Sequence, residues 1–322
     1  MPITWRPATW VDIEPALTIQ EKSRGDALIG KQAAIAAWKH LFRDPFFASA
    51  ILESKPAIQG HGLIGFGASV FISSAFANAE VANPRPDINT RIITGIHLGQ
   101  SVLATRNEVA RANAGVGVDV MILCGIWRDE IVNSEERYAV QSLLVSSFAE
   151  WHRGYRIRRI IHETADEAGR AFLRRSVEYK PIVAFADIGR VIHMMTLESV
   201  KAYPGSLGNI IFNHNEPVLR LRHSDQQLLL AAIGGATDPE LAIELGISAS
   251  AVKARWRSTF ARIAEAMPKL VAGACDKQGR GTQKRHRVLA YTRGHPEELR
   301  PYDWKTKIGL GALHAYRTNY GP

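Results

Sequence analysis

The chain has 322 residues, 46% of them hydrophobic, and a net charge of +9, enough for two domains and a substantial core. No stretch approaches a membrane span and the opening MPITWRPATWVDIEP has no signal pattern, so a cytoplasmic, nucleoid-associated protein without membrane contact is expected. Cys124 and Cys275 lie far apart and read as reduced, small apolar residues, which excludes a disulfide framework.

The N-terminal two thirds read as mixed α/β. In chain order the pattern predicts a strand at Ile3–Arg6, helices at Asp12–Gln20 and Lys31–Leu41, and a strand at Ile64–Ser73. Pro84-Arg85-Pro86 marks a loop, and Ser101–Asn113 reads as a helix stopped by Gly115. A buried strand follows at Val118–Trp127, then an amphipathic helix at Tyr138–His152, a strand at Arg156–Glu163 and a helix at Asp166–Glu178. Ile182–Phe185 and Ile188–Met194 read as short closing strands.

This order over residues 3–190, with Ile3-Thr4-Trp5-Arg6-Pro7-Ala8 followed by Asp12-Ile13, resembles the GNAT acetyltransferase fold. That resemblance implies a Gln/Arg-x-x-Gly-x-Gly/Ala loop after the strand ending at Trp127, whose backbone amides cradle a coenzyme A pyrophosphate. Here Arg128–Arg137 holds no glycine; Asn133 and Glu136 have capping-box spacing, and Glu130, Glu135 and Glu136 would repel a diphosphate. The rival stretch Arg111–Gly117 follows a helix and precedes a strand, the reverse of what a phosphate cradle needs. The expectation is therefore a GNAT-like domain reused for sensing, dimerisation or polymerase contact, with no cofactor and no enzyme activity. His152, beside Trp151, and His162, before Glu163, could line a pocket, although a histidine at a helix end more often caps or faces solvent. Trp5, Trp10, Trp127 and Trp151 read as core, and the scattered histidines make no metal site.

Residues 221–263 read as three short helices. Ser224 and Gln227 have capping-box spacing, Leu228, Leu229, Ala232 and Ile233 form an apolar face, and Gly234-Gly235 stop the first helix. Thr237 or Asp238 caps the second, with Pro239 and Glu240 in its first turn and Leu241, Ala242 and Leu245 facing inward. Gly246 turns the chain and Ser248 caps the third helix, where Val252, Trp256, Phe260 and Ile263 form the buried stripe. The opposite side is centred on Ser250, Ala254 and Arg257, flanked by Lys253 and Arg255. Leu245-Gly246-Ile247-Ser248 followed by Ala251-Val252-Lys253, with Asp225 and Gly235, resembles the DNA-binding domain of LuxR-type regulators; Trp256 departs from it, standing where a smaller aliphatic is usual. The resemblance implies that Lys253, Ala254 and Arg257 face the major groove and that Arg255 meets a phosphate.

Charge is segregated along the chain: residues 1–251 carry a net −1 and residues 252–322 a net +10. Residues 271–283 read as a linker, and Lys284, Arg285 and Arg287 as a basic cluster at a helix start, unfavourable there without an anion. Val288, Leu289 and Tyr291 are that helix's apolar set, Gly294 ends it and Pro296-Glu297-Glu298 opens another turn. The organisation expected is a GNAT-like domain over 1–200, a linker over 201–220, an all-α helix-turn-helix over 221–270 and a basic extension over 271–322. The function expected is a sequence-specific, DNA-binding transcription regulator, homodimeric, holding double-stranded DNA and contacting RNA polymerase. Two alternatives stand beside it: an acetyltransferase fused to a nucleic-acid-binding domain, and a sigma-factor-like promoter-binding protein.

Overall fold

The computed structural model describes residues 3–24, 30–58, 61–128, 134–165, 167–175, 178–272 and 280–306. The chain builds two compact units, one from Met1–Glu108, Gly117–His152 and Ile157–Phe212, the other from Val109–Val116, Arg153–Arg156 and Asn213–Pro322.

The first unit is mixed α/β. Its strands are β1 (Ile3–Pro7), β2 (Phe47–Ile58), β3 (His61–Ile72), β4 (Val118–Trp127), β5 (Ile157–Thr164), β6 (Lys180–Phe185) and β7 (Arg190–Thr196). They form one seven-stranded sheet in the order β1-β2-β3-β4-β5-β7-β6. Every neighbouring pair is antiparallel except β4 and β5, which run parallel at the centre. The helices along this part of the chain are α1 (Ile13–Arg24), α2 (Lys31–Leu41), α3 (Ser74–Ala82), α4 (Ile88–His97), α5 (Arg106–Ala114), α6 (Ser134–His152), α7 (Glu167–Arg175), α8 (Leu197–Lys201) and α9 (Leu207–Phe212).

Alternation along the strands sorts side chains to two faces. Ile51, Phe66, Val70 and Met121 meet Ile13, Leu17 and Trp38 of α1 and α2, where Trp38 packs edge-on against Phe47 and Phe66. Leu52, Ile64 and Trp127 point the other way and meet Val140 of α6. The strands expected around β1, β3, β4, β5, β6 and β7 are present, shifted by a few residues at most ends. β2 escapes the sequence pattern because FASAILESKPAI mixes alanine, charge and proline, which local propensity does not assign to a strand. α3 and α4 were not anticipated either; α4 begins where the buried Glu163 carboxylate accepts from the amides of Asp87 (2.7 Å) and Ile88 (3.1 Å). Residues 101–105, expected as helix, are non-helical, and Leu103 bridges to Ile72 instead. The tryptophan expectation holds only in part: Trp127 is buried, whereas Trp10 is 64% exposed and Trp151 38%.

The second unit is all-helical among the described residues: α10 (His223–Ile233), α11 (Asp238–Leu245), α12 (Ala249–Ala266), α13 (Pro268–Val271), α14 (Arg280–Gly294) and a 3-10 turn at Pro296–Leu299. Leu228, Leu229, Leu241, Val252, Trp256 and Ile263 share one core with Val288, Leu289 and Leu299. The domain limits read from sequence therefore need correction. Residues 201–220 are not a linker, since Val200, Ile211 and Phe212 are buried in the first unit and Leu219 in the second. Nor are residues beyond 280 an appendage, because α14 supplies part of the core. Asn113 also belongs here: its amide donates to the Pro301 carbonyl (2.8 Å) and accepts from the Arg156 amide (3.1 Å).

Capping follows the expected chemistry with one change of residue. The amide of Thr237 donates to Glu240 (2.6 Å) and Ser248 Oγ accepts from the Ala251 amide (3.2 Å). At α10 the cap comes from Asp225, which accepts from the Arg222 amide (2.9 Å), and not from Ser224 with Gln227. Asp225, 2% exposed, accepts from the Arg222 amide, Thr259 Oγ1 and Arg262 Nε, and so ties α10 to α12. Gly235 and Gly246 both adopt positive φ (93° and 63°), which is why glycine stands at these two turns. The linker read over 271–283 and the glycine-rich end of the chain lie largely outside the described residues.

Candidate active site

The residues singled out from sequence sit on or near α12. Ser248, Ser250, Lys253, Ala254 and Arg257 are exposed and Arg255 is half-buried, while Val252, Trp256 and Ile263 are buried. Ser248 and Ser250 hydroxyls lie 2.9 Å apart, so both are engaged at the cap. Lys253 and Arg257 have no hydrogen-bond or ion-pair partner among the described residues. The cluster of Lys284, Arg285 and Arg287 is different from what the sequence led us to expect. α14 begins at Arg280, so these cations stand beyond its first turn and do not oppose the positive end of the dipole. Arg285 donates to Asp238 (2.9 Å) and to the Ala236 carbonyl and lies over the Trp256 ring; Arg287 donates to the Ala272 carbonyl (2.7 Å). Both guanidiniums are thus held by this unit's own acceptors, while Lys284 has no partner among the described residues.

A second site, which the sequence reading missed, lies in the sheet unit. β4 and β5 are paired from Val118↔Ile157 to Ile122↔His162 and then separate, although β4 continues to Trp127. At this point β4 carries a bulge: Ala68 pairs with Cys124 and Ser69 with Ile122, leaving Leu123 as the extra residue. Beyond it the ladder resumes, with the Arg128 amide donating to the Ile64 carbonyl (2.9 Å). Because antiparallel pairs alternate, the peptide groups of Gly125 and Trp127 turn away from β3, towards the side where β5 has parted.

The parting opens into a cavity of about 400 Å³, within the range of ligand pockets, about 300–1,000 Å³. Its existence follows from side-chain size. On β2 and β3 the lining positions are all small, Ala48, Ser49, Ala50, Gly67, Ala68 and Ser69, and β4 adds Gly125, so this part of the sheet contributes little volume beneath α6. Gly67 also sets the spacing of the roof: a Cβ there would stand 2.8 Å from Leu144 of α6. Leu144, Val145 and Phe148 form that roof, and His162, Tyr179 and Glu178 stand in the wall.

Glu178 is the unusual member. It is 4% exposed, lines the cavity, and accepts no hydrogen bond and joins no ion pair among the described residues. A buried carboxylate is normally matched by a donor or a cation, and one that is not is a candidate for use by a ligand. Tyr179 beside it keeps its phenol protonated well above the usual range, through burial first and the Glu178 charge second. His162 makes an edge-on ring contact with Tyr179 (6.3 Å) and pairs across the sheet with His193, whose pKa burial lowers. Of the two histidines noted from sequence, His162 thus lines the cavity. His152 packs against Phe148 and Phe71, bonds the Phe148 carbonyl through Nδ1 (2.7 Å) and lies 3.5 Å from Ser69 Oγ. The glycine-free loop reaches the described residues only at its ends. Arg128 is buried and donates to the Leu63 carbonyl (3.0 Å), α6 starts at Ser134, and the expected cap by Asn133 lies outside the described residues. Among the described residues no helix is long and apolar enough to cross a membrane.

No family profile matches the chain, and a search of curated proteins also finds no match. Solved structures do match it. An N-acyl amino acid synthase from uncultured soil microbes is 9% identical over 62% of this chain and 94% of its own, with a TM-score of 0.37. The NAA60 protein of Arabidopsis thaliana in complex with acetyl-CoA is 13% identical over 61% and 100%, with a TM-score of 0.39. A spermidine N-acetyltransferase of Vibrio cholerae is 10% identical over 62% and 98%, with a TM-score of 0.35. Two of these carry acyl- or acetyl-transfer names and the third holds acetyl-CoA. The reading of this chain as a transcription regulator with a non-catalytic N-terminal domain runs against these matches and is withdrawn, and with it the expectation that the chain is not an enzyme.

Proposed function

We propose that the sheet unit is an N-acyltransferase, moving an acyl group from a thioester to an amine, and that the chain joins it to a nucleic-acid-binding helical unit. The observation that carries this reading is the cavity at the parting of β4 and β5 with the unmatched Glu178 in its wall. Aminolysis of a thioester needs an amine that has lost its proton, a polarised carbonyl and walls that exclude water. An acceptor arriving as an ammonium is drawn to Glu178, which pairs with it and takes one proton. The freed nitrogen lone pair attacks the thioester carbonyl carbon, and the oxygen takes up the negative charge beside the inward-facing peptide groups of Gly125 and Trp127. Collapse of that intermediate re-forms the carbonyl and breaks the carbon–sulfur bond; the thiolate takes a proton from Tyr179 and the amide nitrogen gives its second proton back to the phenolate. The donor is specified only by its thioester, because residues 129–133 of the loop that would meet a coenzyme A pyrophosphate lie outside the described residues.

The full chain incubated with acetyl-CoA and a panel of primary amines is expected to release free thiol only when an amine is present. Loss of that release in Glu178→Gln, with near-wild-type thermal stability, is the matching result. Absence of both thiol release and thioester binding across the panel overturns the proposal.

For the helical unit, the exposed, unmatched Lys253 and Arg257 on α12 favour double-stranded DNA as the partner. Ser248, Ser250, Ala254 and Arg255 belong to the same proposed face.

A further inference from the structure

We propose that the transferred group is an aliphatic acyl chain of about eight to twelve carbons, held in the cavity between the sheet and α6, not an acetyl group. This inference rests on the acyltransferase reading and specifies its donor. An engineered apolar cavity of about 150 Å³ holds a benzene molecule; the present cavity, of about 400 Å³, is far larger than an acetyl group requires. Its extension runs along the sheet away from the polar wall. Glu178, Tyr179 and His162 stand by β5, whereas the part over β2 and β3 is bounded by Ala48, Ala50, Gly67 and Ser69 below and by Leu144 and Phe148 of α6 above.

Two independent features separate this from a packing defect. The void is closed on its polar side by a carboxylate that is 4% exposed and unmatched among the described residues, which a dry structural cavity would not retain. The small residues sit opposite one another in register, Ala50 against Gly67 and Ala48 against Ser69, so the floor is continuous across two strands. The chemistry that fits is a polar head at β5 and a hydrocarbon tail over β2 and β3. An acyl thioester supplies both, with its carbonyl at the parting and its tail beneath α6.

The test uses the full chain and the fluorescence of Trp127 and Trp151, which both line the cavity. It is titrated with acetyl-CoA, octanoyl-CoA and dodecanoyl-CoA, and with free dodecanoate to separate a thioester donor from a fatty acid ligand. Affinity for the thioesters should rise about fourfold per added methylene until the cavity is full, and dodecanoate alone should bind more weakly than its thioester. Ala50→Leu, and the milder Ala50→Val in case the first does not fold, should collapse the ratio of dodecanoyl-CoA to acetyl-CoA affinity by at least tenfold. Equal affinity for all three thioesters overturns the chain-length assignment while leaving acyl transfer standing. Binding of dodecanoate with no thioester binding overturns the donor assignment. No binding of any probe removes this inference and the acyltransferase reading together.

Discussion

The two units treat charge in opposite ways. In the sheet unit several arginines are matched: Arg158 and Arg159 converge on the buried Asp119, Arg91 and Arg85 on Glu80, and Arg190 on Asp87. Among the described residues, a buried charged group left without a partner there is an anion, Glu178, inside a largely apolar cavity. In the helical unit the buried acids are matched. Asp225 is bonded three ways, Glu298 accepts from the amides of Val218 and Leu219, and Asp238 holds Arg285. Among the described residues, Lys253 and Arg257 on an exposed helix face are cations without a partner. Each unit thus has an unmatched charge of the sign opposite to its proposed ligand, an ammonium in one case and phosphate in the other. The settings differ as well: a desolvated charge acts strongly on one small partner, an exposed one weakly on a long polymer.

Changes that erase one side of this contrast should have graded effects. Glu178→Gln is expected to lower kcat/KM for amine acylation by roughly 10²–10⁴-fold, the usual worth of a positioned general base, while melting temperature stays level or rises; unchanged turnover would remove Glu178 from the chemistry. Asp225→Ala strands Arg262 and the α10 cap together, and should destabilise the helical unit by about 3–5 kcal/mol, as breaking buried ion pairs does. Denaturant titration followed by tryptophan emission checks this.

Acid should act on the same unit through His214, whose pKa falls from 6.5 to about 4 because of burial first and the nearby Arg156 second. The neutral form is the folded one, so the unfolded chain binds the extra proton: stability is full above pH 6.5 and is lost progressively towards pH 4. The loss is on the order of 3 kcal/mol, and His214→Gln should flatten that slope. The smallest effect on folding belongs to Lys253→Ala with Arg257→Ala, within about 0.5 kcal/mol of wild type as for other surface changes. Duplex DNA affinity should nevertheless fall, and the slope of log K against log salt should shrink by about two. An unaltered salt slope would detach α12 from nucleic acid.

The same contrast explains what could be read in advance. The helical unit was legible because its signals are local: Thr237 with Glu240, Gly246 at a left-handed turn, Ser248 at a cap, and a four-and-three spacing of Val252, Trp256, Phe260 and Ile263. Even there the cap of α10 moved to Asp225, since a buried carboxylate that also serves Arg262 outcompetes a serine. The cavity was not legible. Its floor is assembled from β2, β3 and β4, which lie far apart in sequence, and each small residue alone looks like weak strand propensity. β2 itself went unrecognised, so the pairing of Ala50 with Gly67 could not be foreseen. Glu178 stands in no motif; only burial and the absence of a partner mark it.

The interleaving of the two units constrains how the protein can be dissected. Val109–Val116 and Arg153–Arg156 belong with residues after 213, and Gly154 is pressed so close to the Pro296–Glu297 backbone that an added Cβ would stand 2.5 Å from the Glu297 nitrogen. Cutting between Phe212 and Asn213 would therefore take the Pro301 acceptor from Asn113 and the 296–297 turn from Gly154. Two separately expressed halves would each carry a torn surface, and reassembly from fragments, more than truncation, is the way to ask what each half does alone.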